Sequence, residues 1–182
     1  MNQPYSNVPK EKHKVFITYY HAENEIYRSR FEEQFSRYYV SKSVGVGEID
    51  TELSTEYISQ LIRRNYLADA SVVIVLVGPN TKFRRHVDWE ISAGLEPYSG
   101  RSGLLGILLP EFLIWANRHD TDALPPRLAD NVLSGYATIC TWSEIDSHPT
   151  RLIDYVDRSF EMRTQDHLVN NGRLQMVRNT GP

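Results

Sequence analysis

The carboxylate of Glu90 stands at a position where a side chain of its type could act on a ligand. The continuous apolar run Val72–Val77 ends at Gly78-Pro79, and a helical pattern begins near Arg85. A strand buried on both faces, a tight turn and a helix together form half of a βαβ unit. Ligands in open α/β sheets bind beyond the carboxyl ends of the strands. Glu90 falls on the first turns of the helix that leaves such an end, so it is a candidate catalytic or binding residue.

Strands and helices alternate along the rest of the chain. Runs of β-branched, aromatic and other apolar residues predict strands, and apolar residues three and four positions apart predict helices. The predicted strands are 14–20, 39–44, 72–77, 104–109 and 137–140, and helices begin near residues 24, 54, 85 and 149. Residues 111–136 form a long, proline-marked excursion. This order predicts an α/β fold, a flavodoxin-like three-layer αβα sandwich with a central parallel sheet.

Length and composition predict one globular domain with short extensions. With 182 residues and 41% hydrophobic content, the chain can bury one sizeable core. We predict a flexible N-terminal arm at 1–12, a domain at 13–163 and a polar tail at 164–182. The tail contains the turn signal Asn170-Asn171-Gly172, so we expect it either to be disordered or to add a small hairpin.

Charge and cysteine content argue against several classes of protein. The net charge of −3 gives no basic surface for nucleic acid or anionic lipid. The single cysteine, Cys140, lies in an apolar run, which is typical of a buried thiol and leaves no cysteine-rich metal site. No apolar stretch approaches the ~20 residues of a membrane helix, and no signal peptide is recognisable. We therefore expect a cytoplasmic protein that binds no nucleic acid, no membrane and no metal ion.

Four segments in order resemble the corresponding parts of a TIR domain. They are FITYYHAEN, GEIDTELSTEYI, SVVIVLVGP and RRHVDWEISAGL. The chain is most similar to the TIR-like proteins of bacterial Thoeris antiphage systems, and the resemblance runs from about residue 14 to residue 160. It implies an enzyme that cleaves NAD at the nicotinamide–ribose bond, with NAD as substrate rather than as a resident cofactor.

The resemblance also implies roles for particular residues. The catalytic glutamate of enzymatic TIR domains lies in a pattern like W-x-x-x-E, which Glu90 matches, whereas His86 stands in place of the aromatic residue. The family's first-strand loop matches residues 19–21, and its mobile loop matches about 45–53. A cation at the end of the second strand could meet a pyrophosphate. The expected substrate-binding residues are Tyr19, Tyr20, His21, Lys42, Asp50 and His86.

One carboxylate is enough for this chemistry. Most glycosidases need two, because an alkoxide leaving group must be protonated. The nicotinamide of NAD is already a pyridinium cation and departs neutral, so the enzyme needs no general acid. Glu90 could stabilise the oxocarbenium-like ribose, hold its hydroxyls or act as a base for the acceptor. Because strand alternation sends neighbours to opposite faces, we expect only one of Tyr19 and Tyr20 to line the pocket unless the strand has ended.

Other functions remain open at this stage. The product could be ADP-ribose, a cyclic isomer or a conjugate, and in the Thoeris resemblance it is a signal sensed by a separate effector. We expect self-association on activation and a phage-derived trigger, for which 111–136 is a candidate binding segment. The alternatives are a non-enzymatic TIR assembly module, in which Glu90 is dispensable, and a nucleoside deoxyribosyltransferase-like enzyme. A phosphoacceptor receiver domain is set aside because the first strand ends in Tyr19-Tyr20-His21 rather than in acidic residues.

Overall fold

The computed structural model describes residues 12–42, 61–97 and 100–181. Its five strands are β1 (Lys14–Tyr19), β2 (Val40–Lys42), β3 (Val72–Val77), β4 (Gly103–Leu108) and β5 (Thr138–Thr141). They form one sheet in the order β2-β1-β3-β4-β5, and every neighbouring pair is parallel. The predicted flavodoxin-like sandwich is therefore confirmed.

Helices cover both faces of this sheet. They are α1 (His21–Phe35), α2 (Arg85–Gly94), α3 (Phe112–Trp115), α4 (Pro126–Leu133), α5 (Trp142–Ser147) and α6 (Arg151–Met162). A π-helical turn (Arg63–Leu67) precedes β3, and short 3₁₀ turns lie at Thr81–Phe83, Thr121–Ala123 and Asp166–Leu168. None of the described helices is long and apolar enough to cross a membrane.

The apolar residues of the central strands divide between two cores. Side chains at successive strand positions point to opposite faces of a sheet. Val73, Val75 and Val77 of β3 accordingly pack with α2 and α4, whereas Val72, Ile74 and Leu76 pack with α1, α5 and α6. All positions of β3 and β4 are buried, which explains why both strands are continuous apolar runs rather than alternating patterns.

Two stretches differ in detail from the sequence-based expectation. The second strand begins at Val40 rather than at residue 39, and residues 43–60, where the end of this strand, a loop and the start of a helix were predicted, lie outside the described residues. The excursion at 111–136 contains α3 and α4, with a proline in the first turn of α4, a position that suits proline because its N–H would be unpaired there. The described part of the tail, 164–181, contains no strand and lies against α2 and α4.

Gly103 permits the closest approach between the sheet and a helix. A Cβ added at Gly103 would lie 1.9 Å from the backbone oxygen of Ser159 on α6. We predict that Gly103→Ala lowers the free energy of unfolding by about 1–3 kcal/mol or more, because the strand or α6 must move. Urea denaturation would measure the change. The matched control is Gly172→Ala, where a Cβ would meet nothing within 4 Å, and equal effects of the two substitutions would contradict the prediction.

Candidate active site

Glu90 lies at the carboxyl edge of the sheet, where β1 and β3 end side by side. Tyr19, the last residue of β1, pairs with Leu76 of β3. The chain turns from β1 directly into α1 at His21, and it enters α2 at Arg85 after a short turn beyond β3. The first turns of α1 and α2 therefore meet above the ends of these two strands.

The turn from β3 into α2 is fixed by a buried hydroxyl. Thr81 is fully buried, and its Oγ1 accepts a hydrogen bond of 2.9 Å from the N–H of Gly78. The same hydroxyl lies 3.3 Å from Oδ1 of Asn24 on α1. A Cβ at Gly78 would lie 2.6 Å from the Asn24 amide, so a larger residue there would displace the Asn24 side chain. These contacts hold the beginning of α2 against α1.

The carboxyl group of Glu90 is enclosed by protein. Only 3% of the residue is exposed, and burial raises its pKa to about 8. The Thr18 hydroxyl of β1 faces the carboxyl and partly offsets this rise in pKa, because it favours the charged form. That hydroxyl is buried and makes no hydrogen bond of ordinary geometry with any described residue. Glu90 is therefore mostly neutral at pH 7 in this conformation.

Three aromatic rings cluster at the same edge of the sheet, and one of them, His86, lies one helical turn before Glu90 on α2. The His86 ring stacks on the His21 ring with centroids 5.1 Å apart and an interplanar angle of 27°. The Tyr19 ring meets His21 edge-on at 4.5 Å. Burial lowers the pKa of His21 and of His86, so both imidazoles are neutral at pH 7. His86 Nε2 lies 3.0 Å from the Tyr19 carbonyl oxygen and must carry the proton, since a carbonyl can only accept.

The two tyrosines occupy different surroundings, and strand alternation does not apply to them because β1 ends at Tyr19. Tyr19 is buried, and its hydroxyl donates a 2.5 Å hydrogen bond to Glu25 Oε2. Tyr20 lies at the N-terminus of α1, and the Arg84 guanidinium sits 3.9 Å above its ring. Arg84 also donates from Nε to the Asn80 carbonyl at 3.3 Å. The Arg84 guanidinium, stacked on the Tyr20 ring, therefore lies next to the pair of His21 and His86.

Lys42 does not join this group. It pairs in register with Phe16, three residues before the end of β1, and its Nζ lies 2.7 Å from Asp69 Oδ1. Lys14, the first residue of β1, contacts the other oxygen of Asp69 at 2.9 Å. The hydrogen bonds from Lys42 and Lys14 lower the pKa of Asp69 to about 2. The Lys42 ammonium is thus held at the opposite, amino-terminal edge of the sheet, while Asp50 lies outside the described residues.

Sequence reasoning missed Thr18, Arg84 and the ion pair of Asp88. Asp88 lies in the first turn of α2, where it is buried and binds Arg127 of α4. Thr18 could have been found from strand alternation with Tyr19, whereas no local pattern marks Arg127. Among the described residues, no group of three His, Cys, Asp or Glu side chains could hold a metal ion.

Residues 16–112 match the family model described as the TIR-like domain of the Thoeris protein ThsB. The match covers more than half of the chain. The chain belongs to this family. No curated protein and no solved structure matches it. The part that matches the ThsB TIR-like domain includes Glu90 and all the rings around it, but it ends before α4 and the tail.

The raised pKa of Glu90 predicts a pH-dependent stability. In the unfolded chain this carboxyl loses its proton near pH 4.5, whereas the folded protein keeps the proton up to about pH 8. Between these values the folded state binds more protons, so stability falls as pH rises. At about 1.4 kcal/mol for each unit of pKa difference, we expect a loss on the order of 3–5 kcal/mol across the window.

Urea denaturation between pH 5 and pH 8 would test this prediction. Glu90→Gln removes the titrating group, so its free energy of unfolding should decline much less over the same range. Parallel pH profiles for the two proteins would contradict the prediction.

Proposed function

We propose that this ThsB TIR-like protein acts in antiphage defence by cleaving NAD at the nicotinamide–ribose bond, with Glu90 as the catalytic carboxylate. The observation that carries the proposal is the buried Glu90 carboxyl at the carboxyl edge of the sheet, one helical turn from His86, whose ring stacks on His21. Family membership supports the biological setting.

The reaction suits a carboxyl group that is protonated, and therefore neutral, in the free protein. The bond from ribose C1′ to the nicotinamide nitrogen breaks, and its electron pair leaves with the nicotinamide, which departs neutral. An acceptor oxygen or nitrogen then bonds to C1′ and gives up a proton, for which Glu90 is the base. A bound pyridinium cation would lower the pKa of Glu90, since a nearby positive charge favours the carboxylate. Substrate binding would thereby create the anion that stabilises the oxocarbenium-like ribose.

The surrounding rings supply surfaces for a planar substrate. The stacked pair of His21 and His86 and the cation-covered ring of Tyr20 are flat groups that could contact nicotinamide or adenine. The buried ring of Tyr19 forms part of the wall of the proposed site. The backbone carbonyl oxygen of Tyr19 accepts a hydrogen bond from His86. Asp50 remains a predicted binding residue, whereas the Lys42 ammonium is held by Asp69 at the other edge of the sheet and is not part of the proposed site.

Activation by self-association is part of the proposal. Glu90 is enclosed in this conformation, so the substrate needs an opening step before it can reach the carboxyl. The consecutive apolar residues Leu113, Ile114 and Trp115 of α3 are exposed, and such patches are typical of protein contacts. A phage-derived trigger and a separate effector that senses the product complete the proposed pathway. The product itself is ADP-ribose, a cyclic isomer or a conjugate.

The test is NAD consumption with product identification by mass spectrometry. The purified protein and lysate from phage-infected cells should be compared, because a trigger could be needed. Loss of NAD with release of nicotinamide supports the proposal, and the mass of the product identifies the acceptor. No turnover in either setting would favour the assembly module, or a different nucleoside substrate for the same site.

A further inference from the structure

The helix that carries Glu90 is enclosed on its outer side as well as on its inner side. A helix at the surface of a sheet normally exposes a polar face. In α2, however, every residue from Val87 to Gly94 is buried. The outer cover is residues 170–181, which we call the strap.

The strap binds the first half of α2 through directional hydrogen bonds. No side chain of the residue before α2 caps the helix, and the Arg85 N–H instead donates to Asn179 Oδ1 at 3.0 Å. Met176 makes two bonds with its backbone. Its N–H donates to Asp88 Oδ2 at 2.8 Å, and its carbonyl accepts from Trp89 Nε1 at 2.9 Å.

Further bonds continue along the second half of the helix. Asn171 Nδ2 lies 3.1 Å from both the Ser92 carbonyl and Glu96 Oε1, and Gln175 Nε2 donates to Ser92 Oγ at 3.0 Å. The contacted helix positions 85, 88, 89 and 92 follow the spacing of a single helix face. Glu90 projects away from that face.

Arg127 of α4 binds both the strap and α2 through hydrogen bonds. Its side chain is fully buried, and its Nε donates to Asp88 Oδ1 at 2.9 Å. Its two other nitrogens donate to the carbonyls of Asn171 and Arg173 at 3.2 Å and 2.9 Å. One guanidinium therefore joins α2, α4 and the strap.

We propose that the strap is a positioning element for the catalytic carboxylate, a role that rests on the proposed function of Glu90. The inner face of α2 packs through apolar side chains such as Val87 and Ile91, and apolar contact is non-directional. The bonds from the strap are directional, so they fix the rotation and the axial position of α2. They thereby fix where the Glu90 carboxyl stands relative to Thr18 and the histidine pair.

The strap contributes no side chain to either apolar core, although it covers Trp89, a core residue of α2. None of its described residues belongs to the two apolar clusters, and its own apolar side chains Leu174 and Val177 are exposed. The ion pair of Asp88 and Arg127 stays within the remaining chain. A variant that ends at Val169 should consequently fold, with α2 less firmly held.

The experiment compares the full chain, the variant ending at Val169, and that variant supplemented with a synthetic peptide of residues 170–182. We expect kcat for NAD to fall by about 100-fold in the shortened protein, with KM changed only a few-fold, because a misplacement near 1 Å costs about that much. The peptide should restore most of the activity. A ¹³C NMR titration should show the pKa of Glu90 lowered in the shortened protein, since water reaches a displaced carboxyl.

Arg173→Ala in the full chain is the matched control. It removes a strap ion pair with Asp130 and keeps every hydrogen bond between the strap and α2, so kcat and the Glu90 titration should change little. If the shortened chain does not fold, the full-length double variant Gln175→Ala, Asn179→Ala takes its place, with a smaller fall in kcat. Full activity and an unchanged Glu90 titration in the strap variants would overturn the proposal. A full chain without NAD turnover would refute the proposed function, while the NMR titration would still test the strap.

Discussion

We expect Glu90→Gln to lower the proposed NAD cleavage by about 100- to 1,000-fold, the range typical for loss of one preorganised electrostatic group. The amide has almost the same shape as the protonated carboxyl but cannot become an anion when the pyridinium binds. It also cannot accept the proton of the acceptor. The measurement is the rate of nicotinamide release at saturating NAD, with KM determined in the same series.

The control for this substitution is Glu33→Gln on the exposed side of α1, which makes the same chemical change away from the site. It should leave the rate unaltered. Glu90→Gln should also unfold no more easily than the parent protein at pH 6, where the buried carboxyl is already neutral. Equal rates for the parent and Glu90→Gln would rule out Glu90 as the catalytic carboxylate and favour a non-enzymatic assembly module.

Arg127→Met destabilises the protein by about 3–5 kcal/mol, because it leaves the Asp88 carboxylate buried without its partner. The side chains of Arg127 and Asp88 are 0% and 4% exposed, so water cannot replace the lost bonds without a rearrangement. The substitution also frees the strap carbonyls of Asn171 and Arg173. Urea or thermal denaturation at pH 7 would measure the loss.

A double-mutant cycle separates the ion pair from the other contacts of Arg127. Asp88→Asn combined with Arg127→Met should cost less than the sum of the two single substitutions, because no unpaired charge remains. Arg173→Ala, which breaks an exposed ion pair, should cost less than about 1 kcal/mol. Strict additivity of the Asp88 and Arg127 effects would show that the buried pair is not the source of the instability.

The strands of the sheet are predicted well from the sequence, because each pattern that marks them lies within a few consecutive residues. The apolar runs of β3 and β4, the glycine and proline after β3, and the helical spacing in α2 are each contained within a few residues. Their alternation is enough to specify parallel strands with helices on both faces. The same local patterns predict that Glu90 lies at the carboxyl edge of the sheet.

The enclosure of the site could not be predicted in this way. Asp88 and the N–H of Met176 are 88 residues apart in the chain, and neither position carries a local pattern that points to the other. The tail is polar, which is equally compatible with a disordered segment and with a strap that binds through hydrogen bonds. The position of Lys42 was predicted wrongly from its place at a strand end. The register of β2 pairs Lys42 with Phe16, three residues before the end of β1.

The enclosure of α2 also limits which residues its positions can accept. On α1, the outward positions Glu23, Ile26 and Arg30 are exposed, and most side chains would fit there at little cost. On α2 the outward positions Asp88, Trp89 and Ser92 are as buried as the inward ones. A random substitution therefore meets a packed or hydrogen-bonded neighbour at nearly every turn of α2. The helix that carries the candidate catalytic residue should therefore tolerate fewer substitutions than α1.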